Sequence, residues 1–434
     1  MPIKKLTLLL ILVLSSSVLQ ASPAIQHWQT ENGAKVYFVP APELPMVDIQ
    51  LVFDAGAARE GNQGGLAAIT SAMMDEGAAG LNADQIAEAI DSVGAAIGFS
   101  AHQDMAVASL RSVTDAKLLE PAVALFQKTL TQPDFPEDAL ERIRNNMLIG
   151  LQAKKQQPGA LARDAFMQAL YGDHPYGKPA SGNESSLKAL TRADLVAYYQ
   201  QYYVANNAIL AIVGDLDRAA AEALANRITS QLPAGQAAAK LPAVSALKKP
   251  YQQRIHHPSS QSHLLLGQPG IKRGDEDYFI LYVGNHILGG SGLTSRISNE
   301  IREKRGLSYS AYSYFSPMRA LGPYTLGLQT KNASVDEALQ VLRETLIEFR
   351  ENGPTASELE AAKKNITGGF PLRLDSNKKI VGYLAMIGFY QLPLDYLDTF
   401  NEKVNAVSLQ QIKEAYQRRI NPDKLVTIIV GGEA

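Results

Sequence analysis

Thr191–Gly214, TRADLVAYYQQYYVANNAILAIVG, and Ser408–Gly431, SLQQIKEAYQRRINPDKLVTIIVG, repeat one design 217 residues apart without a gap. Each copy opens on a Thr or Ser able to cap a helix and runs through an amphipathic stretch. It then breaks at Asn207 or Pro422 and closes an apolar run on Gly. The shared identities are few, so the match rests on pattern. A second pair agrees with it: Ala122–Leu130, AVALFQKTL, aligns with Ala338–Leu346, ALQVLRETL, at an offset of 216. A nearly constant offset over so long a span predicts two copies of one domain, which can divide one task between them.

Length points the same way. The chain has 434 residues, well beyond the roughly 250–300 at which single cores stop growing. With 46% hydrophobic and 19% charged residues, each half can bury a full core. Net charge is −2, with basic and acidic residues interspersed, so no nucleic-acid footprint is present. The first residues place Lys4 and Lys5 before an apolar run Leu6–Leu14 and small residues ending at Ala21. This reads as a cleaved export signal, too short to span a membrane, and predicts a periplasmic protein with no later span. The absence of Cys excludes disulfides and thiol chemistry. The expected organisation is a signal at 1–21, a first domain at 22–232, a Pro/Ala/Lys-rich linker at 233–250 and a second domain at 251–434.

Within the first half, Trp28–Pro40 reads as a hairpin around Asn32-Gly33 and Met46–Ala55 as a buried strand. Helices are expected at Gly65–Met74, at Ala83–Val93 capped by Asn82, at Ala116–Thr131 and at Pro136–Lys155, and a strand at Gly98–Leu110. In the second half, His263–Gly267, Tyr309–Phe315 and Tyr324–Leu328 read as strands, and Tyr278–Leu288, Thr294–Lys304, Val335–Glu351 and Ala356–Gly368 as helices. The fold class is therefore α+β: two homologous domains, each a mostly antiparallel sheet with helices.

Chemistry is sparse. None of the seven histidines has another at i+4, the spacing that lets a helix hold zinc, and His256 and His257 would point apart in a strand. No G-x-S-x-G elbow occurs, and Gly289–Gly292 reads as a tight helix–helix turn. Ser291–Tyr314 stands out. Thr294 can cap a helix carrying Arg296, Glu300, Arg302, Glu303, Lys304 and Arg305, which Gly306 stops, and Tyr309, Tyr312 and Tyr314 follow. On composition alone, cations opposing a helix dipole and tyrosines packed on a sheet would account for it.

The run NHILGGSGLTSRISNEIREKRGLSYS (Asn285–Ser310), with YGDHPYGKPASGNESSLKALTRADLVAYYQQYYVANNAILAIVGDLD (Tyr171–Asp217), resembles the M16 peptidases, the family of insulinase and the mitochondrial processing peptidase. The resemblance extends from about Ile25 to Gly432 and implies a chamber walled by duplicated α/β domains. In active members of the family the first half carries His-x-x-Glu-His on a helix with a distal Glu. That helix falls here on Gly65–Gly77, GLAAITSAMMDEG, where Ala68 and Ala72 replace the histidines and Ser71 the Glu. The distal Glu would fall in Arg142–Arg163, which holds no acidic residue. Methyl groups and a hydroxyl cannot replace those ligands, and Asp75 and Glu76 read as solvated carboxylates ending the helix.

The second half keeps what the resemblance assigns to it, an Arg and a Tyr seven apart: Arg302 and Tyr309, with Arg305 as the competing cation. The family's peptide-binding sheet edge maps to about Gly98–Asp104, naming Gly98, Phe99, Ser100, Ala101 and His102. The expectation is a non-catalytic, substrate-binding subunit of a heterodimeric zinc peptidase. It would be inactive alone and free of cofactor, and it would serve a homologous partner holding Zn2+ that acts on peptides or unfolded chains. The alternatives are a structural or peptide-binding homologue and, more remotely, a peptidase with unrecognised ligands.

Overall fold

The computed structural model describes residues 24–432, so the export-signal reading at 1–21 lies outside the described residues. The first half forms a six-stranded sheet from β1 (Gln26–Gln29), β2 (Lys35–Pro40), β3 (Met46–Phe53), β4 (Ala96–Ala101), β5 (Ala106–Val113) and β6 (Ala208–Gly214), in the order β1-β2-β6-β3-β5-β4. The second half contributes β7 (Tyr251–His256), β8 (Gln261–Pro269), β9 (Ala311–Phe315), β10 (Pro323–Lys331) and β11 (Val426–Gly431), in the order β9-β10-β8-β11-β7. Without β1, the two orders are the same. In each sheet one neighbouring pair is parallel, β2 with β6 and β11 with β7, and the others are antiparallel.

The repeated stretch supplies that parallel strand in both halves. Thr191 and Ser408 each open a helix through a capping box: their hydroxyls accept from the backbone N–H of Asp194 and Gln411, whose side chains reach back to the cap N–H. The apolar runs that follow are buried along their whole length, as a central strand covered on both faces requires.

Two helices cross between the halves. Pro158–Tyr171 of the first half lies on the second sheet, with Ala162, Phe166 and Leu170 in one apolar cluster with Leu265, Val426 and Ile428. Asn377–Tyr390 of the second half lies on the first sheet, sharing a cluster with Tyr37, Ile209, Ala211 and Val213. Gly388 lets it settle there: a Cβ at that position would stand 2.5 Å from Ile209 Cγ2 and 2.6 Å from Tyr37 Cε2. The segment 233–250 carries neither helix nor strand, and Leu241, Val244 and Leu247 lie against the cluster around Phe166.

Several expected elements shift. Gly98–Leu110 is not one strand but the hairpin β4–β5, because His102–Met105 turn: the His102 N–H donates to the Met105 carbonyl at 2.7 Å. Asp104 in that turn is only 3% exposed and joins the halves. Its carboxylate accepts from the hydroxyls of Tyr176 (2.5 Å) and Tyr390 (3.0 Å) and from the Arg319 N–H (2.8 Å). The Thr294–Lys304 helix begins instead at Ser295, whose Oγ accepts from the Ser298 N–H; Thr294 lies in the turn before it, and the helix widens into a π turn at Asn299–Glu303. Tyr309 precedes β9 rather than belonging to it.

Candidate functional site

The helix that would hold zinc is short, Leu66–Ala72. Ala68 and Ala72 lie on its more open side, half-buried and exposed, while Ser71 is buried with its Oγ 3.3 Å from the Tyr203 hydroxyl. The residue in the place of the general base is thus absorbed by the core. In the region of the missing distal Glu, Arg142 forms an ion pair with Glu76. Glu76 is therefore a pairing group, and Asp75 is half-buried with its carboxyl raised above its ordinary value chiefly by burial, which corrects the solvated reading of both. Two methyl groups, an inward hydroxyl and an opposing guanidinium do not fit a zinc ion. Among the described residues no three His, Asp or Glu side chains gather into a metal-binding group.

Glu60 takes over the start of this helix. Gly65 adopts a φ of +92° and offers no side chain, so the Glu60 carboxylate accepts from the N–H groups of Gly65 (3.0 Å) and Ala67 (2.7 Å). Sequence reading passed over it, although an acid five residues ahead of a Gly-led helix is the available signal. Glu60 is 5% exposed, and burial pushes its carboxyl up to about 7, outweighing those N–H groups and Lys178. A raised folded value means that the stabilising contribution is full below about pH 4.5 and is lost as pH rises through 7. The loss is on the order of 3 kcal/mol. Thermal melts from pH 5 to 8 should therefore fall more steeply for the wild type than for Glu60→Gln; parallel curves would remove Glu60 as the cause.

The expected peptide edge is a true sheet edge. β4 ends the first sheet, pairing only with β5, and the Leu66–Ala72 helix packs beside it. Gly98, Phe99, Ser100 and Ala101 lie on β4; His102 and Asp104 do not, because the chain has turned inward.

In the second half the cations are sorted by their partners. Arg296 is held by Glu358 through two 2.7 Å bonds and by Glu348, and so anchors the start of the helix. Arg305 donates to the Glu300 carbonyl (2.9 Å) and carboxylate (2.7 Å). Gly306, at φ +61°, closes the helix as expected, its N–H donating to the Arg302 carbonyl. Arg302 is left with its sequence neighbour Glu303 at 3.4 Å and stands 6.0 Å from the Tyr309 ring centroid. Tyr309 is 88% exposed, an unusual setting for an aromatic ring. The structure thus brings Arg302 and Tyr309 together and ties Arg305 elsewhere.

Comparisons with known proteins match both halves of the chain. Residues 35–184 match the model described as insulinase, peptidase family M16, and residues 189–366 match the peptidase M16 inactive domain. A crystal structure from Pseudomonas fluorescens, described as a peptidase M16 inactive domain, superimposes with a TM-score of 0.92 at 43% identity, covering 94% of this chain and 98% of that one. A Helicobacter pylori relative named a non-peptidase homolog is 27% identical, covering 96% of each chain. A Bacillus subtilis relative named an uncharacterized zinc protease is 25% identical, covering 93% of this chain and 98% of that one. With two M16-type domains of matching topology, this chain belongs to the M16 peptidase family.

Proposed function

We propose that this chain is the zinc-free subunit of a two-chain M16 peptidase working outside the cytoplasm. The observation that carries the reading is the mismatch between the halves. The first offers no zinc donors at Ala68, Ser71 and Ala72, while the second keeps Arg302 and Tyr309 adjacent, accessible and almost unengaged. An exposed aromatic ring beside a partly exposed guanidinium held only by its sequence neighbour suits contact with another molecule.

In this reading an extended peptide pairs with the free edge of Gly98–Ala101 or with the corresponding edge of a homologous partner. Arg302 and Tyr309 reach the partner's site and donate hydrogen bonds to the scissile carbonyl and to the oxyanion that develops from it, as a planar guanidinium and a phenol can. A zinc ion held by the partner's His-x-x-Glu-His would polarise that carbonyl and supply the attacking water. The charge and apolar pattern from Lys4 to Ala21 supports export.

A second reading, a structural or peptide-binding homologue with no part in hydrolysis, draws support from the name of the Helicobacter pylori relative. Mixing purified chains separates the two. The first reading expects this chain alone to leave peptides intact and its mixture with a zinc-bearing M16 chain from the same cell to cleave them. Cleavage by this chain alone, or a complex as inert as its parts, would overturn it.

A further inference from the structure

A pocket of about 410 Å3 opens in the helical layer of the second half, and its lining shares no residue with Arg302, Tyr309 or β4. Tyr278, Phe279, Leu392, Tyr396 and Val407 give it aromatic and aliphatic walls. Two cations border it. Lys403 places its Nζ 5.7 Å from the Phe279 ring centroid. The Arg273 guanidinium lies between two aromatic faces, 5.7 Å from Tyr278 and 5.5 Å from Tyr390.

The charges around Arg273 are already committed. Asp275 accepts from Arg419 at 2.9 Å, Asp277 from Arg418 and Arg419 at 2.7 Å each, and the exposed Glu276 faces Arg419 at 3.9 Å. Among the described residues this leaves Arg273 without a carboxylate, and its buried Nε has no hydrogen-bond partner. A buried donor left unmet costs stability, and one at the wall of an apolar pocket is suited to a ligand that meets it.

We propose that this pocket binds a small monocarboxylate with an apolar body, the carboxylate meeting Arg273 and the body lying against Tyr278, Phe279 and Tyr396. The volume lies within the range of small-molecule sites, and an apolar lining with a few charged groups is their usual composition; Arg273 is the cation there with an unmet buried donor. Asp275 and Glu276 in the lining oppose a second negative charge, which favours one carboxylate over two. Such a ligand could be a free acid or the C-terminal residue of an apolar peptide.

Calorimetry on the full chain tests this with 3-phenylpropionate against 3-phenylpropanol, which has the same body without the charge. The acid should bind at least about tenfold more tightly. Arg273→Gln should abolish that preference. Val407→Trp, which fills the pocket and leaves the guanidinium in place, should abolish binding of both while the chain still folds, with a lowered melting temperature because Val407 is buried. Failure of the acid to bind at millimolar concentration, equal binding of acid and alcohol, or a preference that survives Arg273→Gln would overturn the proposal. Acid binding that survives Val407→Trp would also overturn it, by placing the anion in the neighbouring 600 Å3 cavity that Arg273 and Tyr278 also line. Should Arg273→Gln not fold, Val407→Trp decides alone. Once the acid binds, Ala-Ala-Phe with a free and with an amidated C-terminus identifies the source: binding of the free form alone marks a peptide terminus, and failure of both marks a free acid.

Discussion

Replacing Arg302 by alanine is expected to slow peptide cleavage by the proposed two-chain enzyme about a hundredfold, the usual effect of removing one donor to a developing oxyanion. Most of the loss should fall on kcat, because a bond made mainly to the transition state adds little to substrate affinity. Arg305→Ala is the internal control. Arg305 is spent on Glu300 within its own helix end, so its loss should leave kcat within about twofold while trimming stability by no more than a few tenths of a kcal/mol. Tyr309→Phe should resemble Arg302→Ala, and the double variant should cost less than the product of the two if both donate to one oxygen. An Arg302→Ala complex that forms normally and cleaves at the wild-type rate would end the assignment.

Asp104→Ala should destabilise the chain by about 3–5 kcal/mol, the penalty for breaking a buried, charged hydrogen-bond network. Removing the carboxylate strands the Tyr176 and Tyr390 hydroxyls and the Arg319 N–H at the junction of the two halves, although Tyr176 keeps its bond from the Ala320 N–H. Asp104→Asn keeps the size and one acceptor oxygen, so it should cost less. Urea unfolding followed by fluorescence measures both, and because two of the three lost contacts, those to Tyr390 and Arg319, cross between halves, the Ala variant should also unfold less cooperatively. A midpoint unchanged in Asp104→Ala would mean that the crossed helices alone hold the halves together.

Some of these sites were legible and others were not, for a consistent reason. Thr191 and Ser408 announced their helix caps because a cap and the N–H it bonds are three residues apart, and Gly306 announced the helix stop because only its own φ was at issue. That Ala68, Ser71 and Ala72 carry neither imidazole nor carboxylate was equally plain, since residue types are read directly from the string. The Gly98–Leu110 alternation misled because both strands of a hairpin can keep one alternating pattern, and nothing nearby said that Asp104 would be drawn inward by Tyr176 and Tyr390. Glu60 was passed over because its partners are backbone N–H groups, which every sequence has.

The sequence by itself determined that there are two copies of one design, that each ends in a capped helix feeding an apolar run closed by Gly, and that the first copy holds no His-x-x-Glu-His. Those facts reside in periodicity, caps and residue types, which act over one or two turns. Only the tertiary structure decided which helix covers which sheet, which of Arg302 and Arg305 stays available, and that, among the described residues, Arg273 is left without a carboxylate beside an apolar pocket. Such outcomes depend on the competition of one group among neighbours that folding brings from distant parts of the chain, and no local pattern records who wins it.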